Sequence, residues 1–300
     1  MPKDVLAVVV TYNRKWLLKE CLEALLNQSY KNMDICVIDN ASDDGTYDLL
    51  KDSALMEKII YKNTKQNIGG AGGFNLGIKY AVKKNYNFVW VMDDDTIPEV
   101  DSLENLMNTR EYIGNDFGFL ASCVLWTDGS FCKMNNPGIK KEMLYDKEYQ
   151  HVKQGIMNIH HASFVSILIP TTVVKDVGLP IKEFFIWKDD YEYTSRISEK
   201  YKCYFVSKSV VIHKMKNNML PNIVTDATER LGRYVYEYRN EYYLVRRQGG
   251  KAKLYYYYNA LCTLVSIIKD SKDCKWKRIY TMVNGIIKGW YFKPSIERVK

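Results

Sequence analysis

The stretch WVMDDDTIPEV, Trp90 to Val100, places three carboxylates in a row directly behind an apolar run. Asp93, Asp94 and Asp95 repel one another, which a solvated turn tolerates and a bound cation would turn to use. Hard divalent cations such as Mg²⁺ and Mn²⁺ take oxygen ligands. Asp93 and Asp95, one residue apart at a strand end, can aim at a common point while a diphosphate completes the shell. For a triple aspartate taken alone, the water-facing acidic turn is the simpler reading. Its place after a buried-looking strand, in a sheet whose other strand ends are polar, favours the cation.

Three further constellations carry chemistry. Asp189, Asp190 and Glu192 follow the aromatic cluster Phe184, Phe185 and Trp187 in FFIWKDDYEYTSRI. A carboxylate beside rings and other carboxylates has its charged form disfavoured, which suits a general base. The same acids also fit the first turn of a helix, with Arg196 further along. In NIGGAGGFNLG, glycines 69, 70, 72 and 73 let the backbone approach a ligand, and the helix that follows offers its N-terminal amides to an anion. No Gly-Lys-Ser/Thr follows, and the run lies after the third strand, so it is neither a P-loop nor a dinucleotide fingerprint. Tight helix–sheet packing explains the glycines as well. His213 closes SVVIHKMK, either as a structural histidine or as a ligand in a mixed metal site beside Asp93 and Asp95. His160 and His161 have no identifiable partner.

These residues need a scaffold, and the first hundred residues supply an alternating one. VLAVVVTY is apolar and β-branched; RKWLLKECLEALLNQ places Trp16, Leu17, Cys21, Leu22, Leu25 and Leu26 at helical spacing; MDICVIDN returns to strand. DGTYDLLKDSAL, KIIYKN, GGFNLGIKYAVKKN and NFVWVMDDD continue as helix, strand, helix, strand. This order predicts an α/β fold with a mainly parallel sheet flanked by helices, whose ligands sit at the carboxyl ends of the strands. Thr11, Tyr12, Asp39, Asn40, the run from Asn67 to Gly73 and the triple aspartate all fall at such ends. Residues 117–170 hold short apolar runs broken by TDGS and NNPG, which suits hairpins or an insertion. FVSILIP reads as a strand and TTVVKDVG as a short helix. From about Thr225 the pattern becomes long helices. In KLYYYYNALCTLVSIIK one helical face carries Leu254, Tyr257, Tyr258, Leu261, Leu264, Val265 and Ile268, over a run too short to span a bilayer.

The 300 residues, 47% hydrophobic and 26% charged, make an ordinary globular chain. Seven scattered cysteines lack the spacing of a zinc or redox motif and read as reduced thiols in a cytosol, and the N-terminus lacks the features of a signal peptide. The net charge of +8 is uneven: residues 1–200 carry 23 Lys+Arg against 28 Asp+Glu, and 201–300 carry 20 against 7, or +13. No nucleic-acid motif accompanies the basic third, so nucleic acid is not expected as a partner. An anionic membrane surface suits it better, with an internal helical cap or a homo-oligomer contact as alternatives.

Taken in order, VVVTYNR, VIDNASDDGT, NIGGAGGFNLG, MDDD, FFIWKDDYEY and a later strand-end His resemble the family 2 inverting glycosyltransferases of the GT-A fold, over about residues 5–215. The resemblance implies a GT-A catalytic domain over 1–220 and a basic, helical region over 221–300. It implies that Thr11, Tyr12, Arg14, Asp39, Asn67, Gly69, Gly70, Asp93 and Asp94 hold a nucleotide-sugar donor. Asp93, Asp95 and His213 would hold Mn²⁺ or Mg²⁺, Asp190 would be the base, and Trp187, Asp189 and Glu192 would line the sugar and acceptor pocket. Within the family, GGAGGF with DDD and a DDxE run looks most like galactofuranosyltransferases, which use UDP-galactofuranose. Rhamnosyltransferases share much of the pattern, and Lys188 interrupts the Trp-acid-acid order of the first group. The implied acceptor is a glycan or lipid-linked glycan of the bacterial surface, met in the cytoplasm or at the inner membrane. A silent, sugar-nucleotide-binding relative should have lost an acid that this chain keeps. A nucleotidyltransferase should have a glycine-rich signature loop that VVVTYNRKWL lacks.

Overall fold

The computed structural model describes residues 3–140 and 149–299. Nine strands join in one sheet: β1 (Val5–Thr11), β2 (Met33–Asp39), β3 (Ile60–Asn63), β4 (Phe88–Asp93), β5 (Thr96–Pro98), β6 (Leu120–Trp126), β7 (Ile156–Asn158), β8 (Ile167–Pro170) and β9 (Tyr204–His213). The helices are α1 (Lys15–Leu26), α2 (Thr46–Asp52), α3 (Gly69–Lys83), α4 (Ser102–Ile113), α5 (Tyr149–Lys153), α6 (Thr171–Val177), α7 (Asp189–Ser198), α8 (Tyr234–Gln248), α9 (Gly250–Asp270) and α10 (Lys275–Tyr291). Part of the expected insertion, at 141–148, lies outside the described residues.

The sheet runs β3-β2-β1-β4-β8-β6-β9-β5, with β7 added on β9. Its first half is parallel, as the strand–helix alternation predicts, and the second half is mixed. β8 runs antiparallel to both β4 and β6, and β9 pairs parallel with β6 but antiparallel with β5 and β7. Both faces are covered, so β1 is buried at every position. Val5, Ala7 and Val9 meet Leu18, Cys21, Leu22 and Leu25 of α1 and Leu103 and Leu106 of α4. Leu6, Val8 and Val10 meet Phe74, Ile78 and Ala81 of α3 on the other face, where α6 and α7 also pack. The buried stripe of α1 therefore begins at Leu18, and Trp16, counted in the apolar spacing above, is 62% exposed.

The parallel register decides where chemistry can happen. Thr11 pairs with Asp39, Asp39 with Asn63, and Val10 with Asp93, so four strand ends reach one edge together. β9 brings His213 to the same edge, opposite Thr96, which directly follows the triple aspartate.

The glycine run opens α3 itself instead of forming a loop ahead of it. A side chain at Gly73 would meet Val10 at 2.6 Å and one at Gly77 would meet Val8 at 2.2 Å, so these two glycines let α3 lie close on β1. Gly69 has a φ of +75° and faces the Phe185 carbonyl, which an added Cβ would approach to 2.1 Å.

Helices α8 to α10 form a separate cluster in which Ile223, Leu231, Tyr234, Ile267 and Met282 are buried, and Trp187 packs against it. Gly285 and Gly289 on α10 face Tyr238 and Tyr242 of α8, and an added Cβ at Gly285 would come 2.8 Å from the Val235 carbonyl. That close approach fixes α10 on α8.

Candidate active site

Seven side chains from four separate segments meet at the strand edge. Thr11, the last residue of β1, donates its hydroxyl to Asp94 Oδ2 at 2.7 Å. Arg14, just beyond, places Nη1 3.2 Å from Asp94 Oδ1 and 2.6 Å from Asp95 Oδ2. His213 Nε2 lies 3.0 Å from Asp95 Oδ1. Its Nδ1 is 2.8 Å from Asn135 Oδ1, and Asn135 spends its amide hydrogens on Ser163. Nδ1 therefore carries a proton, and the neutral ring would turn its Nε2 lone pair toward Asp95. One ligand atom each from Asp93, Asp95 and His213 lies within 4.8 Å of the others. Two carboxylates and an imidazole in that arrangement fit a divalent cation such as Mn²⁺. Among the described residues the Asp93 side chain makes no hydrogen bond, which leaves its oxygens free for such a ligand.

Charge at this edge is poorly compensated. Burial, then repulsion from Asp95 and Asp94, pushes Asp93 up to about 7. Burial also raises Asp94 to about 6, against the pull of Arg14. Asp95 goes the other way: burial would raise it, but the His213 hydrogen bond and the nearby cationic groups hold it below the usual carboxylate range. Burial would lower His213, yet the Asp95 carboxylate outweighs it and lifts the ring to about 10. A site in which burial and mutual repulsion make two of three neighbouring aspartates harder to ionise than usual stands ready for added positive charge.

The second acidic group opens α7. Asp189 is buried and Asp190 half-buried. Burial and the Asp190 charge drive Asp189 well up, and the charge of Asp93 adds to the rise, so the two acidic groups share one field. Asp190 is raised by burial, against the Tyr191 backbone amide that donates to its Oδ1 at 2.7 Å and against the Lys188 ammonium.

The backbone that carries these acids is strained. Phe185, Trp187 and Lys188 all have positive φ, at 66°, 65° and 67°, in a region that side chains disfavour. Helix α8 holds them there. Asn240 Nδ2 reaches the carbonyls of Phe184, Ile186 and Trp187 at 3.0, 3.1 and 2.9 Å. Arg239 donates to the carbonyls of Glu183 and Phe184, and Lys188 lies 3.3 Å from Glu237 and 2.9 Å from Glu241. From the other side Ala71, in the first turn of α3, donates its amide to Phe185 O at 3.2 Å.

The remaining expected residues are more dispersed. Asp39 is buried and accepts from the Tyr61 hydroxyl, the Ser42 amide and Asn63. Tyr12 is 45% exposed, Asn67 is exposed and accepts from the Gly69 amide at 2.8 Å, and Gly70 has open space where a side chain would stand. Trp187 is half-buried with its ring on Tyr234. Glu192 does not join the pocket acids: it is 2% exposed and its oxygens are taken by Arg196 and Arg247. Asn135 and Asn240 were missed by the sequence reading. Asn135 sits inside the turn signal NNPG, and Asn240 in YEYRNEYYL, where nothing local marks a contact 50 residues away.

Comparison with known proteins identifies the fold and the family. Galactofuranosyltransferase GlfT1 of Mycolicibacterium smegmatis is 36% identical over 94 residues, 31% of this chain and 30% of that protein. A GalNAc(5)-diNAcBac-PP-undecaprenol beta-1,3-glucosyltransferase of Campylobacter jejuni is 30% identical over 154 residues, 49% of this chain and 47% of the other. The matched stretches thus span less than half of these relatives. Among solved structures, S. aureus TarS superposes with a TM-score of 0.56 at 14% identity, covering 96% of this chain and 44% of that one. GalNAc-T7 with UDP, GalNAc and Mn²⁺ gives 0.58 at 14% identity, covering 80% and 51%. The architecture is the GT-A fold. The sequence model of glycosyl transferase family 2 matches residues 6–170, more than half the chain and all of its parallel half, and the chain belongs to that family.

Proposed function

We propose that this protein is a metal-dependent, inverting glycosyltransferase that moves galactofuranose from UDP-galactofuranose to a hydroxyl of a glycan or lipid-linked glycan in cell-surface polysaccharide synthesis. The observation that carries the reading is the meeting of Asp93, Asp95 and His213 at a strand edge whose field extends to the acids opening α7. The similarity to galactofuranosyltransferases supports the donor, and the similarity to an enzyme named for an undecaprenol-linked substrate supports a lipid-linked acceptor. Such an acceptor places the enzyme in the cytoplasm, on the inner face of the membrane.

Asp93, Asp95 and His213 would hold Mn²⁺ or Mg²⁺, which when bound offsets negative charge on the departing diphosphate. Thr11 and Arg14 fix Asp94, and the Arg14 guanidinium would be the group to offer positive charge to a phosphate of the donor. Tyr12, Asp39, Asn67, Gly69 and Gly70 line the path for the nucleotide. The acceptor oxygen attacks the anomeric carbon, the carbon–oxygen bond to the diphosphate breaks with its electron pair, and Asp190 takes the hydroxyl proton. The raised affinity of Asp190 for a proton suits it to that step. Attack from the face opposite the leaving group inverts the anomeric configuration, with Trp187 and Asp189 beside the acceptor.

A donor-hydrolysis screen tests this reading. Purified protein with Mn²⁺ should release UDP from UDP-galactofuranose faster than from UDP-galactopyranose or UDP-glucose, and should leave dTDP-rhamnose intact. Preference for dTDP-rhamnose would move the donor to the rhamnosyl group, and no turnover of any donor would remove the enzymatic reading.

A further inference from the structure

Of the helical face picked out at the sequence level, Leu264 packs on the α8–α10 cluster, while most of the rest faces outward. Leu254, Tyr258, Leu261, Val265 and Ile268 recur at intervals of three and four along α9, and all are exposed, Leu254 by 73%. The residues of α9 that are buried, Tyr256, Ala260 and Ile267, lie on another face. Helix α10 repeats the arrangement. Trp276, Tyr280, Val283, Ile287 and Trp290 form a second stripe with the same spacing, with Trp276 84% exposed, opposite the buried Met282, Gly285 and Gly289. The two stripes adjoin, since the Trp290 indole donates to the Tyr257 hydroxyl at 2.9 Å. A helix of a water-soluble domain buries its apolar face and turns a polar one outward. Here both outer faces are apolar and aromatic, and they form one patch.

Charge selects the occupant. Residues 250–293 carry nine Lys and Arg (251, 253, 269, 272, 275, 277, 278, 288 and 293) against Asp270 and Asp273, a net +7. Of these only Arg278 is buried. A second copy of the same face would bring like charge against like charge, whereas an anionic lipid surface attracts it. Tyrosine and tryptophan on the outer face, with lysines at its flanks, is the composition of a helix lying in the headgroup layer. No described helix is long and apolar enough to cross a membrane, so the patch lies on the bilayer without spanning it.

We propose that the outer faces of α9 and α10 form a docking surface for an anionic phospholipid membrane, with the aromatic and aliphatic stripes set into the interface and the lysines against the headgroups. The surface follows from exposure and charge alone, and it rests on the function proposed above only in the choice of the cytoplasmic leaflet. Helix α8 connects it to the catalytic region, because it packs on α10 and also holds the loop ahead of Asp189.

Co-sedimentation of the full chain with vesicles tests the assignment. Binding to phosphatidylcholine vesicles containing phosphatidylglycerol should exceed binding to phosphatidylcholine alone and fall as salt rises. The variant Leu261→Ser/Val265→Ser/Trp276→Ser/Tyr280→Ser changes only exposed side chains, so it should fold, keep donor hydrolysis, and bind the anionic vesicles about tenfold or more weakly. Three results would overturn the proposal: no vesicle binding at low salt, equal binding to neutral vesicles, or a salt-stable dimer in sedimentation velocity that the same four substitutions dissociate. Because donor hydrolysis is read separately, failure here leaves the transferase reading standing, and loss of hydrolysis in the unmodified chain leaves the membrane result standing.

Discussion

At the scale of single residues, the triple aspartate is a site of stored repulsion. In the metal-free protein Asp93 keeps a proton up to about pH 7 and His213 up to about pH 10, whereas in the unfolded chain each releases it earlier. The folded state therefore binds more protons, and stability falls as pH rises, by up to about 1.4 kcal/mol per pH unit for each proton concerned. Thermal unfolding in EDTA should show the melting temperature dropping between about pH 5 and about pH 8. Asp93→Asn should flatten the lower part of that slope, and it should abolish the stabilisation that Mn²⁺ with UDP gives the unmodified protein. A slope unchanged by Asp93→Asn would show that its carboxyl is not the group that titrates. Asp93, Asp94 and Asp95 were legible in the sequence because three adjacent carboxylates have few uses at a strand end. His213 was legible only as one of two alternatives, since its meaning depends on the antiparallel β5–β9 pairing that sets it opposite Thr96. Glu192 was misplaced for the same kind of reason: Arg247, which claims it, is 55 residues further on.

At the scale of elements, the loop ahead of α7 explains why the basic last third is joined to the catalytic half. The carbonyls of Phe184, Ile186 and Trp187 are not held by a regular ladder, and one side chain, Asn240, serves all three. Removing it leaves the Ile186 and Trp187 carbonyls without that donor, at a cost of about 1–3 kcal/mol, in a segment whose positive φ angles already store strain. Asn240→Ala should lower kcat for transfer about tenfold or more while the donor KM moves little, because the loop carries the acids opening α7 and not the strand-edge groups. Asn240→Asp should not restore the rate, since a carboxylate cannot donate to those carbonyls. If the fall in kcat is no larger than the fraction of folded protein lost, measured by circular dichroism, Asn240 is structural and does not position the acids. Helix α3 offers the complementary lesson. Its glycines read as a ligand loop, but Gly73 and Gly77 are spent on close packing against β1, Gly69 lies against the Phe185 carbonyl, and open space adjoins Gly70.

At the scale of the whole molecule, the alternation of strand and helix over the first hundred residues was readable because period-two and helical spacings are local, and it yields the parallel half of the sheet in full. The mixed second half was not, because β8, β6 and β9 are ordered by long-range pairing that leaves no periodic trace. The outward face of α9 was visible as a stripe, yet spacing alone cannot say whether a stripe faces a core or a membrane. On the function proposed above, the acids at the end of β4 and those opening α7 serve one reaction, and a comparison of two variants tests that most directly. Asp95→Asn should lose Mn²⁺-dependent binding of UDP in isothermal titration. Asp190→Asn should bind UDP with Mn²⁺ as the unmodified protein does, while sugar transfer falls about a thousandfold, in keeping with the loss of a general base. Transfer by Asp190→Asn at the unmodified rate would contradict the account.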